Sequence, residues 1–294
     1  MIFMTTEKKY SLDLTVKEVQ RLHERYVLIR LTDSQPLPPM RPGQFVEVRV
    51  DGSPTTFLRR PISINFVDTE QNELWLLVAI VGDGTRRLAQ LSAGDRLNCV
   101  LPLGNGFTIQ SRENVSHTEG ARDGSRETAS QRVLLVGGGV GVAPLLYLGK
   151  VLHDAGTEPT FLLGARTAGD LLMLDEFAKY GRVCVTTEDG SMGERGFVTQ
   201  HTLLYPQPVG TDAAAAPFDL IQCCGPTPMM KAVARYAREK GIACEVSLEN
   251  LMACGLGACL CCVEKVLSDE LNTRNVCVCK EGPVFNINRL LWQS

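Results

Sequence analysis

The C-terminal part of the chain carries Cys254-Gly-Leu-Gly-Ala-Cys259-Leu-Cys-Cys262 and, after sixteen intervening residues, Cys279. Read as C-x4-C-x2-C…C, this is a ligand spacing that holds a [2Fe–2S] cluster. Such a centre needs several thiolates converging from one loop, with backbone N–H groups close to its inorganic sulfides. Gly255 and Gly257 let the chain turn tightly enough to aim those groups. A structural zinc is the competing chemistry, but zinc loops usually pair their ligands as C-x2-C…C-x2-C. The spacing therefore predicts a site that handles single electrons. Cys261 and Cys277 are spare thiols beside it. Cys277 and Cys279 stand two apart, so on a strand they share a face and periodicity does not choose between them.

The rest of the composition bounds what the chain can be. Its 294 residues allow two domains and a small module. Thirty basic against 33 acidic side chains, net −3, argue against a nucleic-acid partner. No apolar run reaches the ~18 residues of a membrane span, and the charged start lacks the apolar stretch of a signal peptide. Eleven cysteines are an odd number. Cys99, Cys184, Cys223, Cys224, Cys244 and Cys277 lie mostly in apolar strand-like runs and read as buried thiols. Cluster ligands must stay reduced, so a cytoplasmic location is expected. His23, His117, His153 and His201 are scattered and show no metal-ligand spacing.

The positioning elements fall into two textures. Over residues 1–110, Tyr26–Thr32, Gln44–Val50, Leu74–Val81 and Arg96–Leu101 read as strands between Pro/Gly clusters, predicting an antiparallel barrel. The polar stretch 111–131 reads as a linker or surface loop, and the alanine-rich insert 205–217 as a loop. From 132 to 248 strands alternate with helices, predicting a doubly wound parallel sheet. Its candidate helices are Pro144–Leu152, Leu171–Tyr180, Val198–Leu204 and Pro226–Lys240. The last segment, 249–294, is the cysteine module. At ~45 residues it is too small for a large core of its own and should pack on the rest of the chain.

Ligands of parallel sheets bind at the carboxyl ends of the strands, and three constellations fall there. Gly139-x-Gly141-x-x-Pro144 can bring backbone amides and a helix N-terminus to a pyrophosphate, although it replaces the last glycine of the usual fingerprint. Cys224-Gly225-Pro226 leaves room for a flat ring; a core cysteine before a helix is the plain alternative. Glu188 and Asp189 can accept hydrogen bonds from a ribose and would repel a 2′-phosphate, which Arg166 could instead attract. In the barrel half, Arg60-Pro61-Ile62-Ser63 sets a cation and a hydroxyl beside a strand, suited to phosphate. Arg59 fits a surface salt bridge better. Gly82-Asp-Gly84-Thr85 offers a backbone nest or a plain turn.

Together these motifs resemble the ferredoxin–NADP reductase superfamily, an FAD-binding barrel followed by a nicotinamide-binding domain. The tail, Ser247-Leu-Glu-Asn-Leu-Met-Ala-Cys254 through Cys279-Lys-Glu-Gly282-Pro283-Val-Phe285, is similar to electron-transfer subunits of B-type, NAD-linked dihydroorotate dehydrogenases. The resemblance implies that Arg60 and Ser63 bind FAD phosphates while Pro61 and Ile62 pass along the flavin. Leu77, Val78 and Ala79 would present backbone to the isoalloxazine, and Gly84 and Thr85 would hold the diphosphate. Gly139, Gly141, Pro144, Glu188, Gly225 and Pro226 would bind NAD, with Cys224 at the reacting nicotinamide. Cys254, Cys259, Cys262 and Cys279 would ligate the cluster, the Lys-Glu-Gly-Pro-Val-Phe context selecting Cys279. Ile62 departs from the aromatic residue common at that position.

The implied function is electron transfer between an FMN-containing dihydroorotate-oxidising subunit and NAD, by way of a [2Fe–2S] cluster and FAD, in pyrimidine synthesis. A heterotetramer of two chains each is the implied assembly. Apolar residues of the cysteine loop, Met252, Leu256 and Leu260, are expected either to face that partner or to pack inside the module. Two other readings compete: a subunit of a hydrogenase- or transhydrogenase-type complex, and a zinc-containing binding module.

Overall fold

A computed structural model describes residues 8–109, 131–205, 217–269 and 272–292. The stretch 111–131 and the insert 205–217 fall almost wholly outside them. The chain divides into two compact units, Met1–Gly106 with Ser247–Leu291, and Phe107–Val246 with Trp292–Ser294.

In the first unit, Tyr10–His23 (β1), Tyr26–Thr32 (β2), Phe45–Val48 (β3), Arg60–Asp68 (β4), Glu73–Ala79 (β5) and Arg96–Leu103 (β6) form a closed barrel. The strand order is β1-β2-β5-β4-β3-β6, and every pair is antiparallel. Leu14, Ile29, Val46, Ile64, Leu76 and Leu101 fill the interior. The barrel expected from the sequence is present, with one strand that the reading passed over. In β1, Leu12, Leu14 and Val16 alternate with polar residues at the strand period. The alternation breaks where the register shifts between Val16 and Glu18, which hides the strand in the sequence.

Gly82–Thr85, read as a nest or a turn, begins a short helix instead (α1, Asp83–Leu88). The Thr85 hydroxyl caps it, accepting from the N–H of Val81 at 2.9 Å and of Gly82 at 3.1 Å.

In the second unit, Val133–Gly138 (β7), Ala143–Asp154 (α2), Thr160–Ala165 (β8), Leu174–Ala178 (α3), Arg182–Thr187 (β9), Glu194–Arg195 (β10), Leu220–Cys224 (β11), Thr227–Lys240 (α4) and Ala243–Ser247 (β12) alternate as expected. Strand order is β10-β9-β8-β7-β11-β12, with parallel ladders from β10 to β11. Two expected helices shrink. Leu171–Tyr180 yields only α3, and Val198–Leu204 becomes two 3-10 turns. The break falls at His201, whose backbone is extended and whose Nδ1 accepts from the N–H of Leu203, starting a new turn.

The C-terminal segment holds an antiparallel ribbon, Val263–Asp269 (β13) with Asn272–Cys277 (β14), and a single helical turn, Val278–Glu281 (α5). It belongs to the same unit as the barrel. Asn105 ties the two together, its N–H reaching Gly282 O at 2.6 Å and its side-chain amide reaching the carbonyls of Lys280 and Glu281. The expectation that so small a module leans on the rest of the chain therefore holds.

One buried polar contact anchors the barrel. Glu73 accepts from Lys17 and from the indole N–H of the buried Trp75, the latter at 2.8 Å. Burial by itself would raise the Glu73 carboxyl, but the bonds from Lys17 and Trp75 hold it below its ordinary value. The stability it contributes is therefore present above the ordinary glutamate range and lost as the pH falls through the folded value. Glu73→Ala should cost about 2 kcal/mol at neutral pH, since it strands a buried N–H. Urea unfolding at several pH values checks this, and the gap to the parent protein should narrow in acid.

Candidate functional site

The cysteine loop is shaped by left-handed backbone at Gly255 (φ +66), Gly257 (φ +80) and Leu260 (φ +56). Those turns point amides at sulfur. The N–H of Leu256 lies 3.3 Å from Cys254 Sγ, and that of Gly257 lies 3.1 Å from Cys279 Sγ. The thiols lie in two neighbouring pairs, Cys254 beside Cys259 and Cys262 beside Cys279, whose N–H lies 3.4 Å from Cys262 Sγ. Burial alone would raise Cys254, yet the N–H groups of Leu256, Cys259 and Ala258 and the Cys259 thiol bring it down to about 6. Burial and the Cys262 thiol push Cys279 up to about 12.

Two pairs suit two iron atoms, each taking two thiolates. A single tetrahedral ion would need all four at one point, and among the described residues no three thiol, imidazole or carboxylate groups gather in that way. The residues present thus fit a cluster. The structure also separates Cys277 from Cys279. Cys277 ends a strand whereas Cys279 sits in α5, so they do not share a face. Cys277 Sγ points to the Gly257 carbonyl at 3.8 Å. Of the thiols read as buried, Cys99, Cys223, Cys224 and Cys244 are so, while Cys184 and Cys277 are half-exposed. Around the loop, Leu251, Leu256 and Leu260 are exposed at 87, 55 and 65%. Met252 is buried, so it serves internal packing.

The barrel contains a seam. The β4–β5 ladder runs from Asp68↔Glu73 to Ile64↔Leu76 and stops there. Beyond it, Arg60–Ser63 pair only with β3, and Leu77–Ala79 pair only with β2. The two runs singled out for the flavin are the two edges of this seam. Leu77 and Val78 bury their side chains in the barrel, leaving backbone as their contribution. The Ser63 hydroxyl is half-buried and makes no hydrogen bond among the described residues.

Beside the seam, Arg60 and Thr56 converge on Gly84. A Cβ there would stand 3.0 Å from Arg60 Nε and 3.1 Å from Thr56 Cγ2. Thr56 was not legible in the sequence; only its closeness to Arg60 and Gly84 marks it. The Thr85 hydroxyl accepts from the N–H groups of Val81 and Gly82 and donates to Gly82 O, so it caps α1. Among the described residues Arg59 is in no surface salt bridge. It donates to the carbonyls of Glu47 and Asn98 and to the Asn98 side chain.

At the carboxyl ends of β7 and β11 the two glycine turns interlock. A Cβ on Gly141 would fall 2.4 Å from Gly225 Cα and 2.6 Å from Cys224 O, so glycine is required there by packing as well as by any ligand. Gly139 is left-handed and opens a 3-10 turn that runs into α2, with Pro144 in its first turn. Pro226 is the N-cap of α4, and Pro228 rather than Pro226 occupies its first turn. Cys224 is 1% exposed, so its sulfur underlies the strand end instead of standing open at it.

After β8 and β9 the loops are stitched together. Glu188 N–H reaches Ala165 O, Asp189 N–H reaches Arg166 O, and Ala168 N–H reaches Ser191 Oγ at 2.7 Å. Asp189 is occupied by the N–H and hydroxyl of Ser191, which hold its carboxyl below the usual range. Glu188 is exposed.

Comparison with known proteins accounts for both units. Residues 249–291 match the iron–sulfur cluster binding domain of dihydroorotate dehydrogenase B, and residues 135–235 match the oxidoreductase NAD-binding domain. The chain is 37% identical over 252 residues to the dihydroorotate dehydrogenase B (NAD(+)) electron transfer subunit of Shouchella clausii, covering 85% of this chain and 86% of that one. Against the corresponding Bacillus caldolyticus subunit, identity is 34% over 288 residues, covering 98 and 95%. Among solved structures, an NADH-dependent reduced ferredoxin–NADP oxidoreductase aligns with a TM-score of 0.77 at 30% identity, covering 96 and 91%. The cytochrome b5 reductase domain of Ulva prolifera nitrate reductase, at a TM-score of 0.60 and 17% identity over 79 and 94%, shares the fold. On these matches the chain belongs to the family of electron transfer subunits of dihydroorotate dehydrogenase B (NAD(+)), NAD-linked flavin and iron–sulfur oxidoreductase subunits of pyrimidine biosynthesis.

Proposed function

We propose that Cys254, Cys259, Cys262 and Cys279 hold one [2Fe–2S] cluster, that the β4–β5 seam holds FAD, and that the carboxyl ends of β7, β9 and β11 hold NAD. The observation that carries this reading is the convergence of amides on sulfur: the N–H groups of Leu256, Gly257 and Cys279 face the sulfurs of Cys254, Cys279 and Cys262. When bound, a flavin exchanges electron pairs with nicotinamide and single electrons with a cluster, which is why one chain combines them.

The chain's own groups do the holding. Amides from Leu256 and Gly257 neutralise thiolate charge and orient the ligands. Arg60 supplies the cation for a diphosphate, with the backbone of Gly84 and Thr85 alongside and Thr56 against them. Ser63 offers a hydroxyl without another partner, and the free edge of Leu77–Ala79 offers backbone groups to the ring. In the second unit, Gly139 and Gly141 keep side chains away from a pyrophosphate, with Pro144 fixing the start of α2. Gly225 and Pro226 line the nicotinamide end over a floor that includes Cys224. Glu188 accepts from a ribose hydroxyl.

Leu251, Leu256 and Leu260 are exposed in the same cysteine segment that exposes Cys259, an apolar rim for the redox centre. We assign this rim to an FMN-containing catalytic subunit in a two-plus-two assembly. Together the subunits would oxidise dihydroorotate and reduce NAD⁺ in the cytoplasm. Among the described residues no helix is long and apolar enough to cross a membrane.

Purified chain should contain FAD together with iron and acid-labile sulfide, about two of each per chain, and give a rhombic signal when reduced. Stoichiometric zinc without sulfide would falsify the cluster. NADH should be preferred over NADPH, from exposed Glu188 and the absence of a basic pair. Comparing kcat/KM for the two with an artificial acceptor decides this, and equal values would point to Arg166 as a phosphate partner. Cys259→Ser should abolish NAD⁺-linked dihydroorotate oxidation by the assembled enzyme while sparing most NADH–dye activity. Retention of the coupled activity would remove Cys259 from the ligand set.

A further inference from the structure

Glu47 lies in the middle of β3, at 0% exposure, paired with Pro61 of β4 and Val100 of β6. Among the described residues neither of its carboxylate oxygens has a hydrogen-bond partner. The neighbouring guanidinium of Arg59 does not supply one, since it bonds instead to the Glu47 and Asn98 carbonyls and the Asn98 side chain. A buried acceptor without a partner is destabilising, the more so when charged. The apolar neighbours Val46 and Val48 fill the same strand without that cost.

What the side chain touches suggests why it is there. Gly255, one residue past Cys254, is left-handed at φ +66 and lies directly on it. A Cβ on Gly255 would stand 2.6 Å from Glu47 Cγ, 3.2 Å from Glu47 Oε1 and 2.9 Å from Leu103 Cδ1. The carboxylate is thus the seat of the turn that brings Cys254 to its site.

We infer that Glu47 is a positioning residue of the iron–sulfur centre: it seats the Cys254–Gly257 turn and places a buried carboxyl group under the ligand loop. The inference rests on the four cysteines holding a cluster. Potentials of such centres respond to hydrogen bonds at sulfur and to nearby charge. A group that holds the loop from beneath therefore bears on both the geometry and the potential. It does so without touching iron.

Two variants of the full chain test it. Glu47→Gln keeps the shape and changes the polar group; Glu47→Ala removes the seat. Iron and sulfide content, the reduced-state EPR spectrum, the cluster midpoint potential at one fixed pH and the rate of bleaching by a chelator are measured for each. Glu47→Gln should keep full iron and sulfide but move both the EPR spectrum and the midpoint potential. Glu47→Ala should bleach several-fold faster than the parent chain. Should Glu47→Ala fail to fold, the spectrum and potential of Glu47→Gln decide alone. A Glu47→Gln protein with parental spectrum and potential would reduce Glu47 to core packing and overturn the inference. A parent chain without acid-labile sulfide would instead overturn the cluster assignment on which it rests.

Discussion

The dependence of the cysteine module on the barrel governs much of this structure. A segment of ~45 residues cannot bury enough apolar surface to hold a loop rigid by itself. Here the loop rests on Glu47 and Leu103, and the chain after Cys279 is tied to Asn105 through the carbonyls of Lys280, Glu281 and Gly282. The same strands, β3 and β6, continue the barrel that contains the β4–β5 seam. One rigid framework therefore carries both the thiol pairs and the seam. Electron transfer needs fixed separations between redox groups more than it needs elaborate side-chain chemistry, and this framework supplies them.

The local chemistry of the loop follows from its backbone. Three left-handed residues in seven, two of them glycines, turn successive amides toward sulfur. That concentrates donors on Cys254 strongly enough to overcome the burial that opposes ionisation. Cys279 lacks so many donors and leans on Cys262 within a buried turn, so its thiol is raised. Two sulfurs of the same module are thus driven in opposite directions, Cys254 by the amides that face it and Cys279 by burial and the neighbouring Cys262 thiol.

In the second unit, packing places on Gly141 the demand that a pyrophosphate cradle would also place on it. Gly141 is needed because Gly225 and the Cys224 carbonyl leave no space for a side chain. A binding motif read only as a cradle for pyrophosphate would miss this. The interlock also explains why Cys224 lies beneath the strand end. The β11 turn is pressed against the β7 turn, and a small buried residue is what fits between them.

The cysteine spacing, the glycines within it and the change from strand runs to strand–helix alternation were enough to establish two folded units, the fold class and the chemistry of single-electron transfer. Those features are local: ligand spacing and periodicity are written in consecutive residues. Long-range geometry decided the rest. It committed the Thr85 hydroxyl to capping a helix, brought Thr56 beside Arg60 and Gly84, put Cys279 in a helical turn just past Cys277, and buried Met252. It broke the expected helix at His201 and revealed β1 behind a register shift. Above all it set Glu47, a residue of an ordinary-looking strand, under a loop more than 200 residues away in the chain. No local pattern marks such a contact, because it exists only once the barrel has closed and the cysteine loop has packed onto it.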